Sequence, residues 1–240
     1  MHTNKCSRAS DRLQVDCSNC SLETLCLPRG LSRGEVKQLT QAVKRGNTLQ
    51  KGDLLYRKGD QFRGFLAIKS GTAKIVTTDA EGKEHILDIL LPGELLGFDA
   101  LATDIHNCSA VALETVSFCE LPASTFERLC LKVPTLFREL FRHAGEKFDD
   151  DVRLIILNKR PAEERLAAFL ISLSERLQRR GFSPVNFRLS LNRQEIGNYL
   201  DLALATVSRL LRQFQDDRLL IVNHKSIQIL DIEGLKKIYS

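Results

Sequence analysis

From residue 49 to 122 the chain is cut by glycine at 52, 59, 64, 71, 82, 93 and 97. The runs between are short and rich in β-forming residues: FLAIKSG, TAKIVTT, HILDILL and SAVALET. Glycine at such intervals disfavours long packed helices, because each one costs a helix about 1 kcal/mol relative to alanine. Many short strands joined by turns instead predict an antiparallel barrel or a double-sheet roll, which leave few edges unpaired. DAEG at 79–82 reads as the tip of one hairpin.

The flanks have a different texture. Residues 31–46 carry apolar positions at helical spacing and end on Gly46, which predicts a helix leading into the roll. Pro134 opens a long helical stretch to about residue 160, in which Phe137, Phe141, Ala144, Phe148 and Ile155 follow the 4-3-4 spacing of a coiled-coil seam. The same register puts Asp151, within the run Asp149, Asp150 and Asp151, where an apolar residue belongs. One reading is a helix packed on its own domain with a solvated acidic run. The preferred reading is a dimer helix whose facing carboxylates make association marginal and open to control.

Pro161 ends that helix or begins the next, and PAEERLAAFLISLSERLQRRG reads as an amphipathic helix closed by Gly181. After FSP and FRLSL, the stretch NRQEIGNYLDLALATVSRLLRQF fits a helix-turn-helix. Ile196 and Leu200 supply the inner face of the first helix, Gly197 the small residue where the helices cross, and Val207 and Leu210 the inner face of the second. LLIV-NHKS-IQIL follows as a two-stranded wing. Charge agrees: from residue 158 onward there are 14 Lys/Arg against 9 Asp/Glu, while residues 1–157 hold 21 of each. The whole net charge of +5 thus falls on the segment that would meet a polyanion. On the second helix Arg209 can donate twice to guanine O6 and N7, Ser208 can reach a neighbouring base, and Arg212 can meet phosphate.

Cysteine usage raises a separate question. The composition, 43% hydrophobic and 27% charged, is that of a globular protein, with neither a membrane-length apolar run nor a signal-peptide core. A cytoplasmic chain keeps its thiols reduced, so Cys6, Cys17, Cys20, Cys26, Cys108, Cys119 and Cys130 read as ligands or free thiols. VDCSNCSLETLC sets Cys17, Cys20 and Cys26 within ten residues. Three close cysteines and a remote fourth suit a cubane iron–sulfur cluster; a CxxC pair is also a zinc half-site, and free thiols are a third reading.

A roll, a long helix and a winged helix in that order resemble the cyclic-AMP receptor family of bacterial transcription regulators, an α+β architecture. Where cyclic-nucleotide binders in that family follow Gly-Glu-Leu with an Arg-Ser-Ala-type segment, this chain keeps Gly93-Glu94-Leu95 but reads Cys108-Ser109-Ala110. Without the arginine, a buried cyclic phosphate has no counter-charge, so no cyclic nucleotide is expected. CSNCSLETLC, GFDAL, ALET followed by CELP, AEERLAAF, RGFSP and IGNYL followed by TVSRLL are closely similar to the fumarate and nitrate reduction regulators, the oxygen-sensing branch. The similarity runs from about Cys17 to Leu230.

That resemblance implies a [4Fe–4S] cluster, one per subunit, on Cys17, Cys20, Cys26 and Cys119, the last standing in FCELP, with Cys6, Cys108 and Cys130 as bystanders. It implies four regions: a cluster-binding segment at 1–30, a roll at 31–133, the dimerisation helix at 134–160 and the winged helix at 161–240. The intact cluster would favour a homodimer bound to an inverted-repeat operator in double-stranded DNA, controlling anaerobic gene expression. Oxygen would convert the cluster to [2Fe–2S] and return monomers through Asp149, Asp150 and Asp151, with Phe148 and Ile155 on the seam. Contact with RNA polymerase through the hairpin at 77–84 is also implied, as is tuning of oxygen access by Ser21 and Leu25.

The recognition helix departs from the family. Ala205 stands where a Glu normally accepts from a cytosine amine, Asp201 replaces the turn glycine, and Ala203 replaces a capping threonine. Two other functions compete. One keeps the fold and senses by zinc or thiol oxidation. The other is an iron–sulfur electron-transfer protein, although the chain has no flavin or nicotinamide fingerprint and no nucleophile–base constellation.

Overall fold

The computed structural model describes residues 16–239; Cys6 and the first half of the 1–30 segment lie outside them. A cysteine-bearing loop at 16–32 leads into α1 (Arg33–Ala42), whose N-cap Ser32 and Glu35 form a reciprocal capping box. The helix expected to reach Gly46 stops four residues earlier. Val43 is already extended, and β1 (Lys44–Arg45) pairs with Glu120 and Cys119, so a sheet edge claims backbone that helical spacing had assigned to the helix.

The roll follows as expected. Its strands are β2 (Leu54–Tyr56), β3 (Gly64–Ser70), β4 (Ala73–Thr78), β5 (Glu84–Leu90), β6 (Leu95–Leu96), β7 (Ser109–Ala112) and β8 (Ser117–Pro122). They form two antiparallel sheets in the orders β1-β8-β3-β6 and β2-β7-β4-β5. The DAEG turn joins β4 to β5, with Asp79 accepting from the backbone N–H groups of Glu81 and Lys83. Between the sheets lie Tyr56, Ile68, Ala73, Leu90, Leu96, Ala110, Ala112 and Val116.

Sequence reading missed α2 (Ala123–Lys132), whose Phe126, Leu129 and Cys130 pack on a second core with Leu39, Phe65, Leu121, Leu136 and Leu140. This core lies under the cysteine loop. The long helix, α3 (Pro134–Leu157), begins at Pro134 and ends at Leu157, three residues short of the expected 160. Its expected seam is open to solvent: Phe137, Phe141, Phe148 and Ile155 are 50%, 61%, 68% and 62% exposed.

The C-terminal region runs through α4 (Ala162–Gln178), β9 (Asn186–Arg188), α5 (Arg193–Leu200), α6 (Leu204–Asp216), β10 (Leu220–Asn223), β11 (Ser226–Ile229) and the unanticipated α7 (Ile232–Tyr239). The wing expected to have two strands has three, in the order β10-β11-β9. Its core is continuous with Val76, Ile86, Ile89, Leu91 and Leu113 of the roll, so this region packs directly on the β4–β5 hairpin. Among the described residues no helix is long and apolar enough to cross a membrane.

Candidate functional site

The loop at 16–31 is a series of tight turns. Glu23 N–H donates to the Cys20 carbonyl, Cys26 N–H to that of Leu22, and Arg29 N–H to that of Cys26, each at 3.0 Å. Leu22, Leu27 and Pro28 are buried beneath it, and Cys17 N–H donates to Thr40 Oγ1 of α1 at 3.3 Å. Cys119 comes from far along the chain. It occupies an interior strand of its sheet, paired to Ala67 of β3 on one side and Arg45 of β1 on the other.

These two pieces close one apolar cavity. Cys17, Cys20, Cys26 and Cys119 all line it, with Leu27, Leu39, Val43, Phe65 and Leu121 as walls. Cys108 and Cys130 do not. Burial pushes the Cys17 thiol up to about 11, against the pull of the Thr40 hydrogen bond, and the neighbouring Cys119 and Cys20 push the same way. Burial raises Cys26 to about 12 and raises Cys119 as well. Thiolates in an apolar cavity are poorly solvated and repel one another, so Cys17, Cys26 and Cys119 hold their protons unless a cationic centre takes their place.

The number and type of the donors bear on which centre fits. Four thiolates on one zinc at 2.3 Å stand only about 3.8 Å apart, by tetrahedral geometry. Among the described residues no three His, Cys, Asp or Glu side chains are grouped so as to hold a single metal ion. A cubane gives each thiolate its own iron and so takes a wider set of four sulfurs. Four cysteine sulfurs lining one apolar cavity are the donor type that such a cluster takes.

The bystander cysteines have other surroundings. Cys108 donates to Asp99 Oδ2 at 3.2 Å beside the stacked rings of Tyr56 and His106, and burial raises it to about 12. Cys130 packs on the core under the loop, and burial raises it to about 11. Leu25 lies against the roll, where a Cβ at Gly93 would meet its own Cβ at 3.0 Å; Ser21 is exposed.

The second element of the site is the DNA face. α6 buries Val207, Leu210, Leu211 and Phe214 and leaves Ala205, Arg209 and Arg212 exposed. Ser208 is half-buried and accepts from Arg193 Nη1 at 3.5 Å. A Cβ on Gly197 would lie 2.5 Å from the Leu202 carbonyl oxygen, which explains the small residue at the helix crossing. Asp201 takes the left-handed conformation (φ 52°), and Ala203 caps α6 without any side-chain hydrogen bond, both as the residue types require. Arg165 of α4, which sequence reading passed over, donates to the carbonyls of Leu200 and Asp201 at 2.9 and 3.2 Å and pins the turn. Asn192 with Glu195 is a second capping box; the N-x-x-E spacing was its only local signal.

The acidic run divides. Asp151 is ion-paired to Lys147, whose Nζ also bonds Asp88 of β5 at 3.0 Å. Asp149 and Asp150 do not stand on the seam with it: they line the cleft between α3, the roll and the DNA-binding region. The hairpin at 77–84 has an exposed tip, but its β5 side is engaged, because Asn198 of α5 donates to Glu84 O and accepts from Ile86 N–H, both at 2.6 Å.

Comparison with known proteins gives the context. Residues 47–133 match the cyclic nucleotide-binding domain, and residues 164–238 the Crp-like helix-turn-helix domain. The chain is 43% identical to the transcriptional activator protein Anr of Pseudomonas protegens, over 91% of this chain and 90% of that one. It is 44% identical to the fumarate and nitrate reduction regulatory protein of Vibrio cholerae, over 90% and 87%. Among solved structures, FixK2 from Bradyrhizobium japonicum superposes with a TM-score of 0.75 at 22% identity, covering 82% of this chain and 98% of that one, which establishes the likeness of fold.

Proposed function

The chain belongs to the fumarate and nitrate reduction regulators of the cyclic-AMP receptor family, DNA-binding proteins rather than enzymes, and on that premise we propose that it is a cytoplasmic, oxygen-responsive transcription activator holding one [4Fe–4S] cluster per subunit on Cys17, Cys20, Cys26 and Cys119. The observation that carries this reading is the convergence of those four thiols on one apolar cavity. Bound there, the cluster supplies a crosslink that oxygen can dismantle.

The chain's own residues supply the rest. Leu27, Leu39, Phe65 and Leu121 keep water from the cavity, and Cys119, held in an interior strand, gives the loop end of the tie an anchor in the sheet. With loop and strand tied, α3 presents Phe137, Phe141, Phe148 and Ile155 to a second copy; burying the half to two thirds of each that is exposed is worth roughly 1–2 kcal/mol. Asp151 opposes that gain, tempered by its pairing with Lys147. Two copies then offer two α6 helices to an inverted-repeat operator, Arg209 reading base edges and Arg212 a phosphate, with the exposed hairpin tip available to RNA polymerase.

Anaerobic reconstitution tests this, with absorbance, iron and sulfide content, oligomer size and operator binding recorded before and after air. Loss of the cluster, the dimer and operator binding together supports the reading. A stoichiometric zinc or a metal-free oxygen response would replace the cofactor. Reversible cluster reduction with operator binding unchanged would favour an electron carrier.

A further inference from the structure

We infer that Arg29 is the positioning residue that transmits the state of the cysteine loop to α3, and so to the dimer seam; this deepens the proposed function and rests on it. Three residues beyond Cys26, Arg29 leaves the loop and grips two carboxylates two turns apart on α3. Its Nε donates to Glu139 Oε2 at 3.1 Å, and its Nη1 and Nη2 donate to Glu146 Oε1 and Oε2 at 2.9 and 3.3 Å. The Glu139 side chain is 2% exposed and that of Arg29 23%, so the inner half of this fork is withdrawn from water, where charge-assisted bonds hold geometry most firmly.

Two neighbouring contacts make the junction tight. Gly30 has φ +76°, and a Cβ there would lie 2.8 Å from Glu139 Oε1, so loop backbone is pressed against the same carboxylate. His143, one turn further along α3 and buried, sets its Nδ1 3.7 Å from Glu146 Oε2, the outer carboxylate of the fork. The loop's other anchors go elsewhere, to Thr40 of α1 and to Gly93 of the roll. Glu139, which is buried, and Glu146, exposed two turns on, lie on the side of the helix opposite Phe137, Phe141 and Phe148. A displacement of the Cys26 turn therefore reaches the seam as a shift of the helix, through a planar fork that cannot slide between its two partners.

Arg29→Gln breaks the fork while Arg142, 2.9 Å from Glu139 Oε1, still compensates the buried carboxylate. Glu146→Gln removes only the exposed half, and Arg29→Lys keeps the charge but not the planar geometry. The measurement is the dimer dissociation constant of the full chain, cluster-loaded and cluster-free, beside iron and sulfide content.

For the unsubstituted protein the ratio of the two constants should be on the order of 5–150-fold, the usual range for linked sites. In Arg29→Gln, iron and sulfide should be unchanged while the ratio falls to within about twofold of unity, a response that general destabilisation would not produce. Glu146→Gln and Arg29→Lys should fall between, and they decide the matter if Arg29→Gln does not fold. A full ratio in the variants overturns the inference while leaving the proposed function standing. Loss of the cluster in Arg29→Gln overturns it too, since Arg29 would then hold the site rather than report on it. A ratio of one in the unsubstituted protein removes the proposed function and the inference together.

Discussion

The Glu94 carboxylate of the roll lies 2.6 Å from the Arg180 guanidinium of α4, and Arg176 reaches its other oxygen at the same distance. Arg180 Nε also donates to the Pro92 carbonyl at 2.6 Å. The glutamate of the Gly-Glu-Leu segment, which in cyclic-nucleotide binders belongs to the ligand-binding roll, here fastens the DNA-binding region to that roll. Burial alone would raise this carboxyl, but Arg176 and Arg180 outweigh it and hold it below the usual carboxylate range.

Glu94→Gln should therefore loosen the junction and cost roughly 2–3 kcal/mol, because two largely buried guanidiniums lose their counter-charge. Since the folded-state pKa is lowered, the stabilisation is present above the ordinary carboxylate value and is lost as pH falls through the lowered one. Urea unfolding followed by circular dichroism should show a shallower acid limb for the variant. Parallel acid limbs in the two proteins would show that the clamp contributes no pH-dependent stability.

Cys119→Ser should leave the fold intact and abolish stable loading, where the unsubstituted chain should take up about four irons. Cys108→Ser and Cys130→Ala, outside the cavity, should load normally. Iron and sulfide analysis after anaerobic reconstitution distinguishes them. Retained loading in Cys119→Ser would mean a different fourth ligand.

Asp151→Ala removes the charge from the seam and leaves Lys147 to Asp88. The cluster-free chain should then dimerise about tenfold more tightly, as expected for relief of about 1.4 kcal/mol. Sedimentation equilibrium under air reads this directly. Asp149→Ala and Asp150→Ala, on the cleft side, should have smaller effects; equal effects from all three would point to net charge rather than to position.

Ala205→Glu, at the exposed start of α6, should sharpen discrimination at one base pair of each half-site by roughly 1–3 kcal/mol. Arg209→Ala should relax it at another, whereas Arg212→Ala should weaken all sequences alike and reduce the salt slope. Operator variants titrated at fixed salt separate these outcomes. No gain for Ala205→Glu would show that this position stands off the base edges.

The local patterns in the sequence determined the strand rhythm of the roll, the extent of α3 to within three residues and the crossing of α5 and α6 at Gly197. Each rests on contacts a few residues apart, which periodicity and residue type record. The exposed 4-3-4 face of α3 was legible for the same reason. Cysteine spacing marked Cys17, Cys20 and Cys26 as a group, but only the likeness to a family pointed to Cys119. The tertiary structure decided what joins distant segments. It brought Cys119 into the cavity through the pairing of β8 between β1 and β3, cut α1 short, set Arg29 on Glu139 across 110 residues, and set Arg180 on Glu94 across 86. Charged partners so far apart in sequence leave no period to read, because their pairing is fixed by where the packed sheets and helices deliver them.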